Sequence, residues 1–209
     1  MEDPNFHKVK KIFFLISFFL IHSVNSLAQN FSLEEQVVLN DPWGSSFLNN
    51  NELILTEKSG KIKIANIITK EVFEVDHNLN FIEHGQGGLL DILFKDNFVY
   101  ISYTENRGNM KTSTSIAKAN FNKNKLDFKN IFQAEPPINS GYHFGSRLAI
   151  KDNYLFASAG ERGKGMIAQD PTKHPGSIIR INLDGSIPSD NPRFEDKPDW
   201  LPEIYQIGI

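Results

Sequence analysis

The sequence predicts an all-β chain, and three observations carry that prediction. Short stretches with apolar residues at every second position follow one another, with turn residues between them. Beyond the N-terminal segment, few windows longer than about ten residues show a helical period. Similar turn-plus-strand units recur at Asn50–Glu57, Asp96–Tyr103 and Asp152–Ala159. The strands arrive in groups of about 40 to 50 residues, the size of one blade in a radially repeated fold, and this grouping favours a β-propeller over a sandwich.

The elements follow in order. Asn49 to Asn51 make a turn, "ELILTE" is a strand, Ser59-Gly60 turns the chain, and "KIKIANI" alternates charge with Ile62 and Ile64. "KEVFEV" alternates again, from Lys70 to Val75. "LLDILF" and "NFVYISYT" form a pair joined near Lys95 to Asn97. "SRLAI" and "YLFASAG" form another, joined by Lys151 to Asn153. "GSIIRIN" ends at "LDGS", where Gly185 accepts positive φ.

Bulk composition narrows the function. The chain has 209 residues, 40% apolar and 22% charged, enough for one core. A net charge of −3 gives no electrostatic footprint for nucleic acid. The absence of cysteine excludes disulfides, a thiolate zinc site and a cysteine nucleophile.

The N-terminus reads as an export signal over residues 1–28. Lys8, Lys10 and Lys11 precede an apolar run from Ile12 to Ile21, and small residues Ser26 and Ala28 follow. The run is too short for a bilayer span, which needs roughly 20 residues. Cleavage is expected after Ala28, which gives a periplasmic or secreted chain with no membrane span and a mature domain over 29–209.

Four stretches carry more glycine and polar residues than folding alone requires. In "EHGQGGLLDI", Gln86 sits between glycines before a buried strand, as a ligand-facing amide or as part of a tight turn. In "GYHFGSRLAI", His143 is either a packed histidine or a general base near neutral pH. In "SAGERGKG", Glu161 and Arg162 end a strand, as binding groups or as a solvated ion pair. In the stretch from Ala168 to Pro192, Asp170, Asp184 and Asp190 do not match the calcium-loop spacing and are better read as turn formers, and His174 as structural. No residue is assigned to a metal.

In order, "PWGSSFL…ELILTEKSGKI", "GQGGLLDI", "GYHFGSRLAI…LFASAGERG", "AQDPTKHPGSIIRINLDGSIPSDNP" and "PEIYQIGI" resemble the glucose/sorbosone dehydrogenase family, from about Leu39 to Ile209. The resemblance implies a six-bladed β-propeller, of which about three blades are present. It also implies oxidation, with pyrroloquinoline quinone (PQQ), of the anomeric hydroxyl of an aldose sugar to a lactone, the electrons passing on to an acceptor. The family's H-x-x-x-R-L histidine falls on His143, the base that takes the hydroxyl proton. The glutamine of its G-Q-x-G-L-L falls on Gln86, which touches the cofactor region. The acidic residue of its G-D-x-G turn falls on Glu161, near the sugar, where relatives usually carry Asp. The remaining PQQ contacts and the Ca2+ ligands are expected beyond Ile209, in a longer enzyme. Alternatives are a non-catalytic extracellular propeller that binds sugar or protein, and an inactive fragment.

Overall fold

The computed structural model describes residues 32–193 and 196–209, and the expected leader with its cleavage point lies outside them. Of its two units, Met1–Glu35 and Gln36–Ile209, the second carries the fold. That unit is all-β apart from one 3-10 turn at Gly165–Gln169. Three sheets follow one another along the chain. The first blade holds β1 (Pro42–Phe47), β2 (Glu52–Glu57), β3 (Lys61–Asn66) and β4 (Val72–His77). The second holds β5 (Leu89–Lys95), β6 (Phe98–Asn106), β7 (Thr112–Asn120) and, after the two-residue β8 (Lys125–Leu126), β9 (Lys129–Gln133). The third holds β10 (Gly145–Lys151), β11 (Tyr154–Ala159), β12 (Ser177–Asn182) and β13 (Ile204–Ile207). Each is an antiparallel meander, and β8 adds a parallel bridge from the second blade's chain onto β4 of the first.

Period two decides what lies between the blades. In β6, Val99, Ile101 and Tyr103 point into a cluster with Ile54, Ile62, Ile64 and Val75 of the first blade. Tyr100, on the opposite face, joins Ile116 and Phe132 against Leu148, Leu155, Ile179 and Ile181 of the third. Both faces of the middle blade are therefore buried, which is why "FVYISY" is almost continuously apolar. Burying each large side chain of this kind contributes about 1.5–3 kcal/mol.

The first strands are neighbours from blade to blade: β5 packs against β1 on one side and β10 on the other. All three carry a bulge at the same place. The ladder slips between Pro42 and Ser45, between Leu89 and Ile92, and between Gly145 and Leu148. Opposite each slip stands a hydroxyl, Thr56, Ser102 or Ser158. Each accepts the bulge N–H, from Gly44 (3.0 Å), Asp91 (3.0 Å) and Arg147 (3.1 Å) respectively. Two of these hydroxyls then donate to the next blade: Thr56 to the Leu90 carbonyl, and Ser102 to that of Ser146 at 2.7 Å. One small polar residue thus settles the unpaired N–H of its own bulge and docks the following strand.

Candidate active site

The candidate site is built from the loops that enter β5 and β10 and from the loop that leaves β11. Gly145 and Ala159 are cross-strand partners at the open end of the β10–β11 hairpin. Two residues further out on each arm stand His143 and Glu161. The arms come close: a Cβ on Gly160 would lie 2.1 Å from the His143 carbonyl oxygen, so only glycine fits there. Gly160 N–H donates to Phe144 O at 3.0 Å, and Arg162 N–H to His143 O at 3.2 Å.

His143 has φ of +48°, in the left-handed region. That turn aims its ring at Glu161, whose two carboxylate oxygens lie 2.6 and 2.8 Å from Nδ1. A carboxylate only accepts, so Nδ1 carries the proton, and in the neutral ring Nε2 keeps its lone pair. The His143 side chain is 54% exposed, against 22% for Glu161. Burial alone would raise the Glu161 pKa. The hydrogen bond and charge of His143, with the Gly163 N–H at 3.0 Å, outweigh it and hold the carboxyl below its ordinary value.

Gln86 comes from the loop before β5. His84 and Gly87 exchange backbone hydrogen bonds across a tight turn, and Gln86 N–H donates to Gly141 O at 2.8 Å. A Cβ on Gly85 (φ +60°) would meet that carbonyl at 2.4 Å, so the two loops touch backbone to backbone. The Gln86 Oε1 accepts the His143 N–H at 2.8 Å, and its amide NH2 is left toward solvent. Lys58 ties the same loop to the first blade through the Gly85 carbonyl at 3.3 Å.

The bulge itself adds charge beside the loops. Asp91, buried, accepts the Leu148 N–H at 2.8 Å and the Arg147 Nη1 at 3.1 Å, while the Arg147 side chain stays 75% exposed. Gly44, Asp91 and Arg147 hold the same bulge position in three successive blades.

The structure therefore gathers Gln86, His143 and Glu161 into one constellation. It also alters one reading: Glu161 and Arg162 do not form a solvated pair. Glu161 turns to His143, whereas Arg162 is buried among carbonyl oxygens. The Glu161–His143 pairing was not countable in the sequence: counted from the Lys151–Tyr154 turn, 143 falls opposite 162, and the bulge between Gly145 and Leu148 shifts its partner to 161. The inward turn of Arg162 had no signal, because a charged residue in a glycine-rich loop reads as solvated. His174 is buried, its Nδ1 accepting the Glu135 N–H at 2.9 Å, in keeping with a structural role. Asp170 and Asp184 accept N–H groups two residues on, as turn formers do, while Asp190 pairs with Arg180. Among the described residues no group of three or more His, Asp or Glu could hold a metal ion.

Three sheets stacked through their faces, with first strands side by side, make this a partial β-propeller with a histidine–carboxylate pair on the two arms that flank the β10–β11 hairpin. The model of the family described as Glucose / Sorbosone dehydrogenase matches residues 39–209, and the chain belongs to that family. The chain is 30% identical over 181 residues to the aldose sugar dehydrogenase YliI of Escherichia coli (strain K12), covering 82% of this chain and 48% of the relative. It is 27% identical over 219 residues to quinoprotein glucose dehydrogenase B of Acinetobacter calcoaceticus, covering 87% and 45%. The crystal structure of the soluble aldose sugar dehydrogenase from Escherichia coli in the apo-form superposes with a TM-score of 0.74 at 29% identity, covering 79% of this chain and 51% of that one. The chain spans about half the length of the curated relatives it matches.

Proposed function

We propose that this chain supplies the general base of a PQQ-dependent aldose dehydrogenase, as part of a longer enzyme. The observation that carries the reading is the Nδ1 of His143 held by both oxygens of Glu161, with the other edge of the ring open. Nε2 takes the proton of the sugar's anomeric hydroxyl. With that proton removed, the C1 carbonyl of a lactone can form without a free alkoxide as the C1–H bond breaks, its hydride being what the bound quinone would accept. Glu161 fixes the tautomer and stabilises the imidazolium that results. In this reading the carboxylate acts through His143 as well as beside the sugar. Gln86 locks the backbone of the base and turns its free amide toward the ligand.

The donor set fits an anionic quinone: the Gln86 amide and the exposed Arg147 guanidinium are both donors, and the latter is a cation. Those two residues would hold PQQ from this side, and when bound it supplies the two-electron acceptor. The name quinoprotein, carried by the Acinetobacter relative, supports a quinone cofactor. Calcium, whose ligands the resemblance places outside this chain, and export after cleavage at Ala28 complete the proposal. N-terminal sequencing of the exported chain should begin at Gln29.

The decisive experiment is His143→Ala and His143→Asn in the PQQ- and calcium-reconstituted enzyme, read by sugar-dependent dye reduction. Turnover should fall by about 10²–10⁴-fold, the usual contribution of a positioned base, with the fold intact by circular dichroism. Wild-type turnover in either variant would remove His143 from the chemistry and leave a binding propeller as the better account.

A further inference from the structure

We infer that Arg162 is a positioning residue for His143, acting from beneath the turn that carries it. The inference rests on the reading of His143 as the base. The guanidinium is only 2% exposed, yet it meets no carboxylate in an ion pair among the described residues. Every bond it makes goes to the wall of that turn or to the strand below. Nε donates to Tyr142 O at 3.0 Å, Nη2 donates to Ser140 O, and the planar face stacks on Phe144 with 3.7 Å from Cζ to the ring centroid. Nη1 donates to Thr112 O at 3.1 Å and Nη2 to Thr112 Oγ1 at 2.7 Å, which anchors the group on β7. The Arg162 backbone N–H takes the His143 carbonyl itself at 3.2 Å. One residue thus grips positions 140, 142, 143 and 144 and ties them to the second blade.

Such a grip is needed because the turn does not hold itself. His143 and Arg162 both sit at positive φ, +48° and +60°, which side-chain-bearing residues avoid. A fork of five donors in a fixed plane can satisfy carbonyls on two elements at once. The ammonium of lysine, one point at the end of a flexible stem, cannot reproduce that geometry. Burial draws the Arg162 pKa down to about 10, with the Glu161 charge opposing the shift, so the group stays charged at neutral pH.

The test uses Arg162→Lys in this same chain, with Arg162→Met alongside, followed by amide exchange and imidazole NMR. The reporters are the His143 N–H, bonded to Gln86, and the His143 Nδ1 proton, bonded to Glu161. The Ile101 and Ile116 amides report the core. In Arg162→Lys the His143 amide should exchange about tenfold faster or more, the equivalent of one lost hydrogen bond. Its Nδ1 proton should broaden, while Ile101 and Ile116 keep their protection. Two results overturn the proposal: His143 signals that stay as in the wild type, or a loss of protection shared by core and site, including outright unfolding of Arg162→Lys. The second would make Arg162 a residue of the fold alone. Because the readout is local structure, it is separate from the reading of His143 as base. If His143→Ala left turnover intact while Arg162→Lys loosened the turn, the base would fall and the positioning would stand.

Discussion

At the scale of single residues, His143 is held at backbone cost. A left-handed φ on a residue with a Cβ costs roughly 1–2 kcal/mol, and the surroundings compensate through Gln86 Oε1, the Arg162 N–H and the close approach of Gly160. Gly160→Ala should therefore be severe: its methyl would collide with the His143 carbonyl, and either the hairpin arms part or the chain unfolds. We expect loss of the Glu161–His143 contact and at least about 2 kcal/mol of destabilisation in urea; a silent Gly160→Ala would contradict the geometry. Glu161→Gln tests the charge. Its amide oxygen can still accept from Nδ1, so the tautomer survives, but the imidazolium loses its counter-ion. The expected result is about tenfold or greater loss of kcat with little change in KM; an unchanged kcat would confine Glu161 to holding the loop. Residue type and glycine context singled out His143, Gln86 and Glu161 but left each open to a structural reading, and their proposed roles came from the family resemblance. That His143 and Glu161 touch each other, rather than each facing the sugar separately, required the register of the hairpin. Arg162 was legible only as a surface charge.

At the scale of elements, the strands that alternated cleanly in sequence are strands in the structure, and β7 shows why others did not announce themselves. "TSTSIAKAN" opens with four hydroxyl residues and shows no apolar alternation there, yet all four are buried. Each hydroxyl finds an acceptor: Thr112 the Ile138 carbonyl at 3.2 Å, Ser113 that of Ala134 at 2.7 Å, Thr114 that of Phe144 at 2.8 Å, and Ser115 the Glu105 carboxylate at 2.7 Å. Small polar side chains between two packed blades form a strand interior that hydropathy cannot see. β4 runs from Val72 to His77, two residues later than its alternation suggested, because its final residues pair with β8. The bulge hydroxyls belong to the same class. Ser102→Ala would leave the Asp91 N–H and the Ser146 carbonyl without partners at a buried junction, for about 1–3 kcal/mol. Ser158→Ala, on the face of the third blade turned away from the second, should cost less than half as much. Equal losses in denaturant unfolding would mean that the cross-blade bond contributes nothing.

At the scale of the whole molecule, stability should depend on acid in a definite direction. Hydrogen bonds from Lys173 and Thr172 hold Asp170 down to about 2. The His174 hydrogen bond lowers Glu203 in spite of burial. Burial pushes Glu57 up, but the Lys63 and Asn40 bonds bring it below its ordinary value. Carboxylates with depressed folded pKa values stabilise the protein above their unfolded values of 3.8 to 4.5, and that contribution is lost as pH falls through the folded ones. The melting temperature should hold level from about pH 7 to 5 and fall steadily from about pH 4.5 toward 2; a rise on acidification would refute the assignment. The all-β architecture and its division into blades were visible in the turn-plus-strand units. The blade-to-blade bonding was not, since it depends on which hydroxyl stands opposite which slip.

That bonding has one more consequence. The bulge falls at the same step in the first strand of all three described blades, just before the regular ladder resumes. Positions counted from the bulge therefore correspond from blade to blade, and a residue's address is its distance from the bulge plus its blade. The scaffold repeats, while the chemistry lies where the repeat is broken: Gly44, Asp91 and Arg147 share one bulge position, and four residues earlier stand Asn40, Gly87 and His143. A regular frame thus lets the site be varied one blade at a time, without re-engineering the joints between blades.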